Sequence, residues 1–574
     1  MLTDPEKRLL STISGERAFK NVEALVSGER VSGSGEEAEG AEKVKGMLAP
    51  YVDICELEGF PVTTYVRGRG SLEVVSPEKR TIPCEVNPVS VSGRVEGYLA
   101  DVGKGRRKDY QKLPGSGEDM IVLASAEGGL TGIALEAQAK KAQALICHFT
   151  PKRDDLISIH GVNTHLPVLS ISSRSAAWLR ELLGKEDGVR VRLESHIKTS
   201  PGTSYNVVGT IRGNQFPDEV IYLTAHHDTW FHGANDNLSS IGCLLEIARL
   251  FKEHRPKRTI KFIVFGSEES GIELGRDAIY WDRGSYAYSE AHREALEGRD
   301  EGEIALCMIN AEILGYTPRT DIEVSPDVIP FVEEIRTAFG GHIAVRELAS
   351  TWDWTFSDHL CFHTLGVPSM FVKPAEDHAS AELPDYLTIY HTHKDDLESV
   401  SPVALESNSR LLALLALRLD EASTPPYPLE NVVEMVRQSM HILPNKAKVA
   451  EKLQKALERC RRASARGEKT RLILRLARIL NKNIYAFENY QPVNKLARLL
   501  EALSHLDEAI SKAEAGDMEG VKQALYKIPG VPFSQAYSRY TVEQLHRLVR
   551  ESSILSRLSI FELDMSEAVV LASA

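Results

Sequence analysis

Two histidines and five carboxylates stand at or just beyond the ends of segments that read as β-strands, and together they offer the donor set of an open cation site. The segments are EVIYLTAHHDTW (219–230), KRTIKFIVFGSEESG (257–271), GEIALCMINAEILG (302–315), LGVPSMFVKP (365–374) and LTIYHTHKDD (387–396). In an open α/β sheet the crevice lies outside the carboxyl ends of the strands, so polar side chains placed there by successive strands converge although they are distant in sequence. The residues gathered this way are His226, Asp228, Asp236, Glu268, Glu269, Glu312 and His391. Imidazoles and carboxylates without a thiolate suit zinc, manganese or cobalt in an open catalytic site better than a closed structural zinc.

Each member also has a plainer reading. Alternate residues of a strand point the same way, so His226 and Asp228 share a side and His227 faces the other; a nearby carboxylate would fix the imidazole tautomer, whereas the alternative is a polar turn. Asp236 precedes the apolar helical spacing of Ile241, Leu244, Leu245 and Ala248, where an N-cap is the ordinary explanation. Its place shortly after the His-x-Asp pair, and its two oxygens, would also let it bridge two cations. Glu268 and Glu269 repel one another unless a cation or a shared proton compensates. One could ligate while the other takes a proton, and a solvated acidic loop is the alternative. Glu312 closes the apolar run IALCMINA, where a surface reading is hard to sustain. In Tyr390-His391-Thr392-His393 both histidines face one side of an extended segment, and spacing does not choose between them.

The elements that must position these groups are legible in outline. Residues 1–74 read as helical and then extended, with GSGEEAEGAEKVKGMLAPY (33–51) starting as a helix does. Residues 75–196 have another texture: short β-rich runs EDMIVLASA (118–126), ALICHF (144–149) and LPVLSISS (166–173), and an alanine-rich helix GIALEAQAKKA (132–142). That is a small α/β unit inserted into a larger one. Strand-then-helix alternation from 197 to 423 implies an α/β fold, a mainly parallel mixed sheet sandwiched by helices. TPPYPLE (424–430) breaks the pattern, and VAEKLQKALERCRRA (449–463) and VNKLARLLEALSHLDEAISKAEA (493–515) read as amphipathic helices of a C-terminal helical domain spanning 424–574.

A chain of 574 residues calls for two to four domains, and its net charge of -13 argues against nucleic acid, whose phosphates need a basic surface. The seven cysteines are odd in number and scattered, as expected of free thiols in a reducing compartment. The charged start MLTDPEKRLL lacks the apolar segment of a secretory signal, and no window reaches the roughly 20 apolar residues of a membrane span. The cytoplasm is the expected location, with no membrane partner.

Taken in order, AHHDTWFHGANDN, FGSEESGIELG, MINAEILGY, the Ser357-Asp358-His359 stretch and IYHTHKDD resemble the co-catalytic dizinc aminopeptidase family, which includes bacterial aminopeptidases, glutamate carboxypeptidase II and transferrin receptor-like relatives. The resemblance covers about 200–400. It implies two divalent ions per chain, zinc foremost, one held by His226, Asp236 and Glu312 and the other by Asp236, Glu269 and His391. Asp228 would orient His226, Glu268 would be the general base, and the family's tyrosine-histidine pair selects His391 and puts Tyr390 against substrate. The 75–196 unit looks like a protease-associated domain and 424–574 like a dimerisation domain, so a homodimer or higher homo-oligomer is expected.

The implied activity is a metal-dependent exopeptidase, foremost an aminopeptidase, hydrolysing a peptide or amide bond with a hydroxide shared by the two ions and Glu268 taking its proton. Carboxypeptidase or non-peptide amidohydrolase is the alternative, and an inactive receptor-like binding scaffold is the rival from another class. Pro368-Ser369-Met370-Phe371-Val372-Lys373 lacks the arginine pair of glutamate carboxypeptidase II, which puts specificity for C-terminal glutamate in doubt. Arg319, in Gly-Tyr-Thr-Pro-Arg, is then the candidate for a substrate carboxylate, with a solvated loop residue as the equal alternative.

Overall fold

The computed structural model describes residues 1–427 except 89, 114, 116, 127–129, 150–154, 162–163, 272–280, 297, 299–301, 348–356, 364 and 376–385, together with 455, 458, 470, 473 and 474. The helices expected beyond Thr424 lie almost entirely outside the described residues.

Sixteen strands are described, and they divide cleanly along the chain. The first, β1 (Ile54–Arg67), belongs to one sheet. The next eight form a second: β2 (Ser71–Ser76), β3 (Arg80–Ile82), β4 (Glu85–Val86), β5 (Gly93–Asp101), β6 (Met120–Ser125), β7 (Ala144–His148), β8 (Val168–Ser170) and β9 (Arg190–Ser195). The chain then rejoins the first sheet with β10 (Ile197–Ile211), β11 (Phe216–His226), β12 (Arg258–Phe265), β13 (Ile304–Ala311), β14 (Thr320–Val324), β15 (Ile343–Glu347) and β16 (Ser369–Pro374).

The first sheet runs β1-β10-β12-β11-β13-β16-β14-β15. Its four central strands, β12, β11, β13 and β16, are mutually parallel, but β1, β10 and β14 pair antiparallel on the flanks. The parallel centre follows from strand-helix alternation: β11 and β12 are joined by the helix Ser240–Glu253. The antiparallel flank follows from the excursion, because the chain leaves along β1 and returns along β10, paired from Ile54↔Thr210 to Arg67↔Ile197.

Strand period two sorts the central side chains into two apolar clusters. Ile221, Leu223 and Ala225 of β11 pack with Ile260, Phe262 and Val264 of β12 against the helices Gly15–Leu25, Gly35–Leu48, Ser240–Glu253 and Pro402–Glu421. Val220 and Tyr222 pack with Ile263 and Phe265 against Tyr288 and Phe362 of the helices Arg283–Ala291 and His359–His363. Each such fully buried side chain contributes about 1.5–3 kcal/mol, so these strands form the rigid platform on which a site at their ends can be held. The helix ends are marked in the sequence: Ser14, Ser34 and Ser401 cap their helices, their hydroxyls accepting from Arg17, Glu37 and Ala404 N–H.

The second sheet has its own core. Leu72, Ile121, Leu123 and Ile146 pack on one face with Leu179 of the helix Ser173–Lys185, and Val122, Ala124 and Leu145 pack on the other with Ile133 and Ala137 of the helix Leu130–Ala139.

One expected element is absent. LTIYHTHKDD (387–396) does not form a strand; it holds the end of a 3₁₀ turn, Tyr386–Thr388, followed by further turns, and His391 sits at φ 57°. Runs of β-rich residues this short are decided by whether a sheet edge is available to them.

Candidate metal centre

The ends of β12, β11 and β13 lie side by side because those strands are neighbours in the sheet. His226 is the last residue of β11, Glu312 follows β13 directly, and Glu268 and Glu269 follow β12 after Gly266 and Ser267. Gly266 is required by close approach: a Cβ there would lie 2.3 Å from Ser204 Oγ and 2.8 Å from the Tyr205 carbonyl. Asp236 lies in the irregular turn Ala234–Ser239, at φ -107° and ψ 90°, while the helix Ser240–Glu253 takes Ser239 at its N-cap position. The ordinary N-cap explanation of Asp236 therefore does not apply.

Asp236 stands between the two imidazoles. Its Oδ1 is 3.3 Å from His226 Nε2 and its Oδ2 is 3.3 Å from His391 Nε2. On one side His226 Nε2 is 3.4 Å from Glu312 Oε2 and 3.9 Å from Glu268 Oε2; on the other, His391 Nε2 is 3.1 Å from Glu269 Oε1. His226, Asp236, Glu312 and His391 are all buried. His393, the alternative to His391, is exposed and stands apart. The Tyr390 ring stacks on His391 at 3.7 Å between centroids. Arg319 is half-buried at the approach to β14, where its carbonyl accepts the Ala375 N–H.

The groups around the cluster hold its members in place. His226 Nδ1 is 3.1 Å from the main-chain oxygen of Asp228 and 3.5 Å from its carboxylate. The Asp228 main-chain oxygen is the nearer partner of the imidazole, with the Asp228 carboxylate beside it. The carboxylate of Asp228 accepts the N–H groups of Glu268 and Glu269 at 2.9 and 3.0 Å, fixing the turn that presents both glutamates. His391 Nδ1 is 3.0 Å from the Ile159 carbonyl. In each ring the Nδ1 bond leaves Nε2 directed at the carboxylates, as a ligating imidazole requires.

Electrostatics follow from packing so much acid into a dry pocket. Burial pushes Glu268 well above the usual carboxylate range, with Asp282, Glu269 and Glu312 adding to the effect and His226 opposing it. Burial pushes Glu269 up to about 7, against the opposing charge of His391. Burial also works against an ionised Asp236, but its bonds to His226 and His391 outweigh it and hold the carboxyl below its usual range. Burial disfavours charged imidazoles, yet Glu312 and Glu268 raise His226 well above its ordinary value, and Glu269 with Asp236 raises His391 to about 9. Acids raised toward neutrality and bases raised toward protonation are the response of groups short of positive charge.

The donor set fits divalent cations. Two trios, His226–Glu268–Glu312 and His226–Asp236–Glu269, each bring one ligand atom per residue within 4.8 Å of one another. His391 lies at contact distance from the carboxylates of the second trio, and its Nε2 and Glu269 Oε1, 3.1 Å apart, are buried without a well-directed hydrogen bond between them. A buried donor-acceptor pair left in that condition is costly unless a ligand satisfies it.

Three supporting residues carry no assigned role in the sequence reading. Asp395 accepts the N–H groups of Asn235 and Asp236 at 2.7 and 3.0 Å, holding the Asp236 turn. Trp230 donates its indole N–H to Glu269 Oε2 at 2.5 Å, and Ser357 donates to Glu312 Oε1 at 2.6 Å. The acidic pair Asp395-Asp396 was the one available signal, since adjacent acids beside a buried histidine call for a partner.

A central parallel sheet with imidazoles and carboxylates converging at its strand ends is suited to a metal-dependent hydrolase. Residues 206–416 match the model of peptidase family M28, so the chain carries a region similar to that family of hydrolases acting on peptide bonds. Among similar proteins, an aminopeptidase, YwaD, of Bacillus subtilis is 24% identical over 67% of this chain and 80% of its own length. Carboxypeptidase Q of Rattus norvegicus is 31% identical over 18% of this chain and 24% of its own length. Two solved structures share the fold: a peptidase M28 precursor from Shewanella amazonensis, with a TM-score of 0.61 and 20% identity over 73% of this chain and 96% of its own, and BSAP, a zinc aminopeptidase from Bacillus subtilis, with a TM-score of 0.53 and 22% identity over 70% and 94%.

Proposed function

We propose that the protein is a two-cation exopeptidase, and an aminopeptidase in particular. The observation that carries this reading is Asp236, whose two oxygens each face a different imidazole at 3.3 Å. His226, Asp236 and Glu312 would hold one ion, and Asp236, Glu269 and His391 the other, with zinc foremost and manganese or cobalt as substitutes. Bound there, divalent cations would supply Lewis acidity toward a water and toward the scissile carbonyl. Glu268, buried and raised well above the carboxylate range, takes the water's proton and passes it to the leaving amine. Asp228 holds the Glu268–Glu269 turn, and Tyr390, stacked on His391, contacts the substrate.

The aminopeptidase reading is preferred to a carboxypeptidase because the one cation on Pro368–Lys373, Lys373, is paired with Glu323 at 2.9 Å and buried. Arg319, half-buried at the approach to β14, is the candidate for a substrate carboxylate. An inactive receptor-like scaffold would not be expected to keep every ligand type and the base. In the same reading residues 1–74 with 197–423 are the catalytic domain, 75–196 is a protease-associated-like insertion, and 424–574 forms the subunit contact of a homo-oligomer. A cytoplasmic location is supported by the six free cysteines among the described residues. No described helix is long and apolar enough to cross a membrane.

The test is hydrolysis of aminoacyl amides, free dipeptides and N-blocked dipeptides by the purified protein, with and without chelator. Cleavage of the first two, lost with chelator and restored by zinc, is expected. Preferential cleavage of N-blocked dipeptides would overturn the aminopeptidase reading, and chelator-resistant turnover would overturn the metal reading.

A further inference from the structure

The second sheet reaches into the metal centre through one short segment. Ile159 donates its N–H to the His391 carbonyl at 3.1 Å and accepts His391 Nδ1 at its own carbonyl at 3.0 Å, while Ser158 Oγ donates to the Tyr390 carbonyl at 3.0 Å. These bonds meet a residue that needs holding. His391 has φ 57°, a left-handed conformation that a side chain with a Cβ adopts only when its surroundings over-determine it.

The segment is itself anchored to the second sheet by Asn87, which follows β4 and is fully buried. Asn87 Oδ1 accepts the His160 N–H at 3.2 Å and the Ser170 hydroxyl at 3.0 Å. Its side-chain amide donates to Cys147 Sγ at 3.2 Å, and its backbone N–H donates to the Val168 carbonyl at 3.1 Å. Asn87 therefore ties the ends of β7 and β8 to the residue next to Ile159. The His160 ring, stacked on Phe149 at 3.9 Å, adds a second tie, and Ile159 packs with Tyr65 and Trp230.

We propose that Asn87 is a positioning residue for His391, and that through the Ser158–His160 segment the second sheet sets the cation affinity of the His391 side of the centre. The proposal rests on the two-cation reading above. Asn87 touches none of the ligand atoms; it acts on the ring orientation that His391 presents to Asp236 and Glu269. Groups that orient a ligating histidine typically control 10- to 100-fold in metal affinity.

The experiment is calorimetric titration of zinc into the chelator-stripped full-length protein, comparing wild type with Asn87→Ala and Ser158→Ala, and using His391→Ala to identify which binding event belongs to that side. Asn87→Ala should weaken the His391-side event by roughly 10- to 100-fold and leave the His226-side event within about twofold. Ser158→Ala removes the bond to the Tyr390 carbonyl and the 3.3 Å contact with His160 Nε2, and should weaken the same event selectively, to a smaller extent. It is the deciding variant if circular dichroism shows that Asn87→Ala does not fold. Unchanged affinity at both sites in the folded variants, or equal weakening of both, would overturn the proposal. A wild-type chain that binds fewer than two zinc ions would instead overturn the two-cation reading itself.

Discussion

Replacing Asp228 by Asn separates two ways in which this buried carboxylate could serve the site. Its oxygens accept the N–H groups of Glu268 and Glu269 at 2.9 and 3.0 Å, and Ser32 Oγ lies 3.3 Å from Oδ2. The Asn side chain keeps one acceptor and turns an NH₂ donor toward the other amide. One hydrogen bond to a charged acceptor is thereby lost, a cost of about 1.5–3 kcal/mol, and two donors are left facing each other. At about 1.4 kcal/mol per tenfold change, that corresponds to roughly a 10- to 150-fold loss, shared between the stability of the metal-free protein and the placement of the two glutamates. His226 should be spared, because its Nδ1 bond runs to the Asp228 main-chain oxygen at 3.1 Å, which the substitution leaves intact. Urea unfolding of metal-free protein, zinc titration and kcat measure the three consequences, and ¹⁵N resonances of the imidazoles report the tautomer. The reasoning fails if unfolding free energy, zinc affinity and kcat are all unchanged. It fails differently if the His226 tautomer shifts, since the carboxylate would then be what holds the ring.

Glu268→Gln should keep zinc content and reduce kcat by roughly 10²- to 10⁴-fold, whereas Glu269→Gln should first lose zinc affinity and recover some activity in excess metal; the opposite metal contents would reverse the two roles. Trp230→Phe removes the indole donor from Glu269 Oε2 and should weaken zinc binding about tenfold or more, with a smaller effect on the His226-side ion, as titration will read. His391 is raised to about 9 by Glu269 and Asp236 despite its burial, so in the metal-free protein its contribution to stability is complete below the ordinary histidine value, about 6.5, and is lost as pH rises through about 9. Zinc must displace that proton, so zinc affinity should rise with pH across the same interval and binding should release protons, detectable as a dependence of the calorimetric heat on buffer ionisation enthalpy; a pH-independent affinity would refute this.

What the sequence determined by itself is the inventory and its order. The runs VIYLTA, TIKFIVF and IALCMINA are apolar enough to be buried on both faces, and a strand so buried ends at a predictable place, which puts His226, the two glutamates and Glu312 at strand ends from the sequence alone. The serines ahead of the helices at 15, 35 and 402 were likewise local signals, because a cap bonds within its own first turn. Tertiary structure decided whatever depended on a partner distant in sequence. The period-two argument holds only inside a strand. Asp228 lies two residues beyond β11, and its carboxylate accepts the Glu268 and Glu269 amides as well as lying 3.5 Å from His226. The choice of His391 over His393 rests on a turn whose shape is held by Ser158 and Ile159, and no spacing within 387–396 encodes that contact. The antiparallel flank of the sheet arises because an entire second sheet intervenes between β1 and β10, which hydrophobic patterning of either strand alone does not reveal. Asp395, Trp230 and Asn87 are silent for the same physical reason: each acts through a few hydrogen bonds to groups remote in sequence, and such bonds leave no periodic mark on the chain.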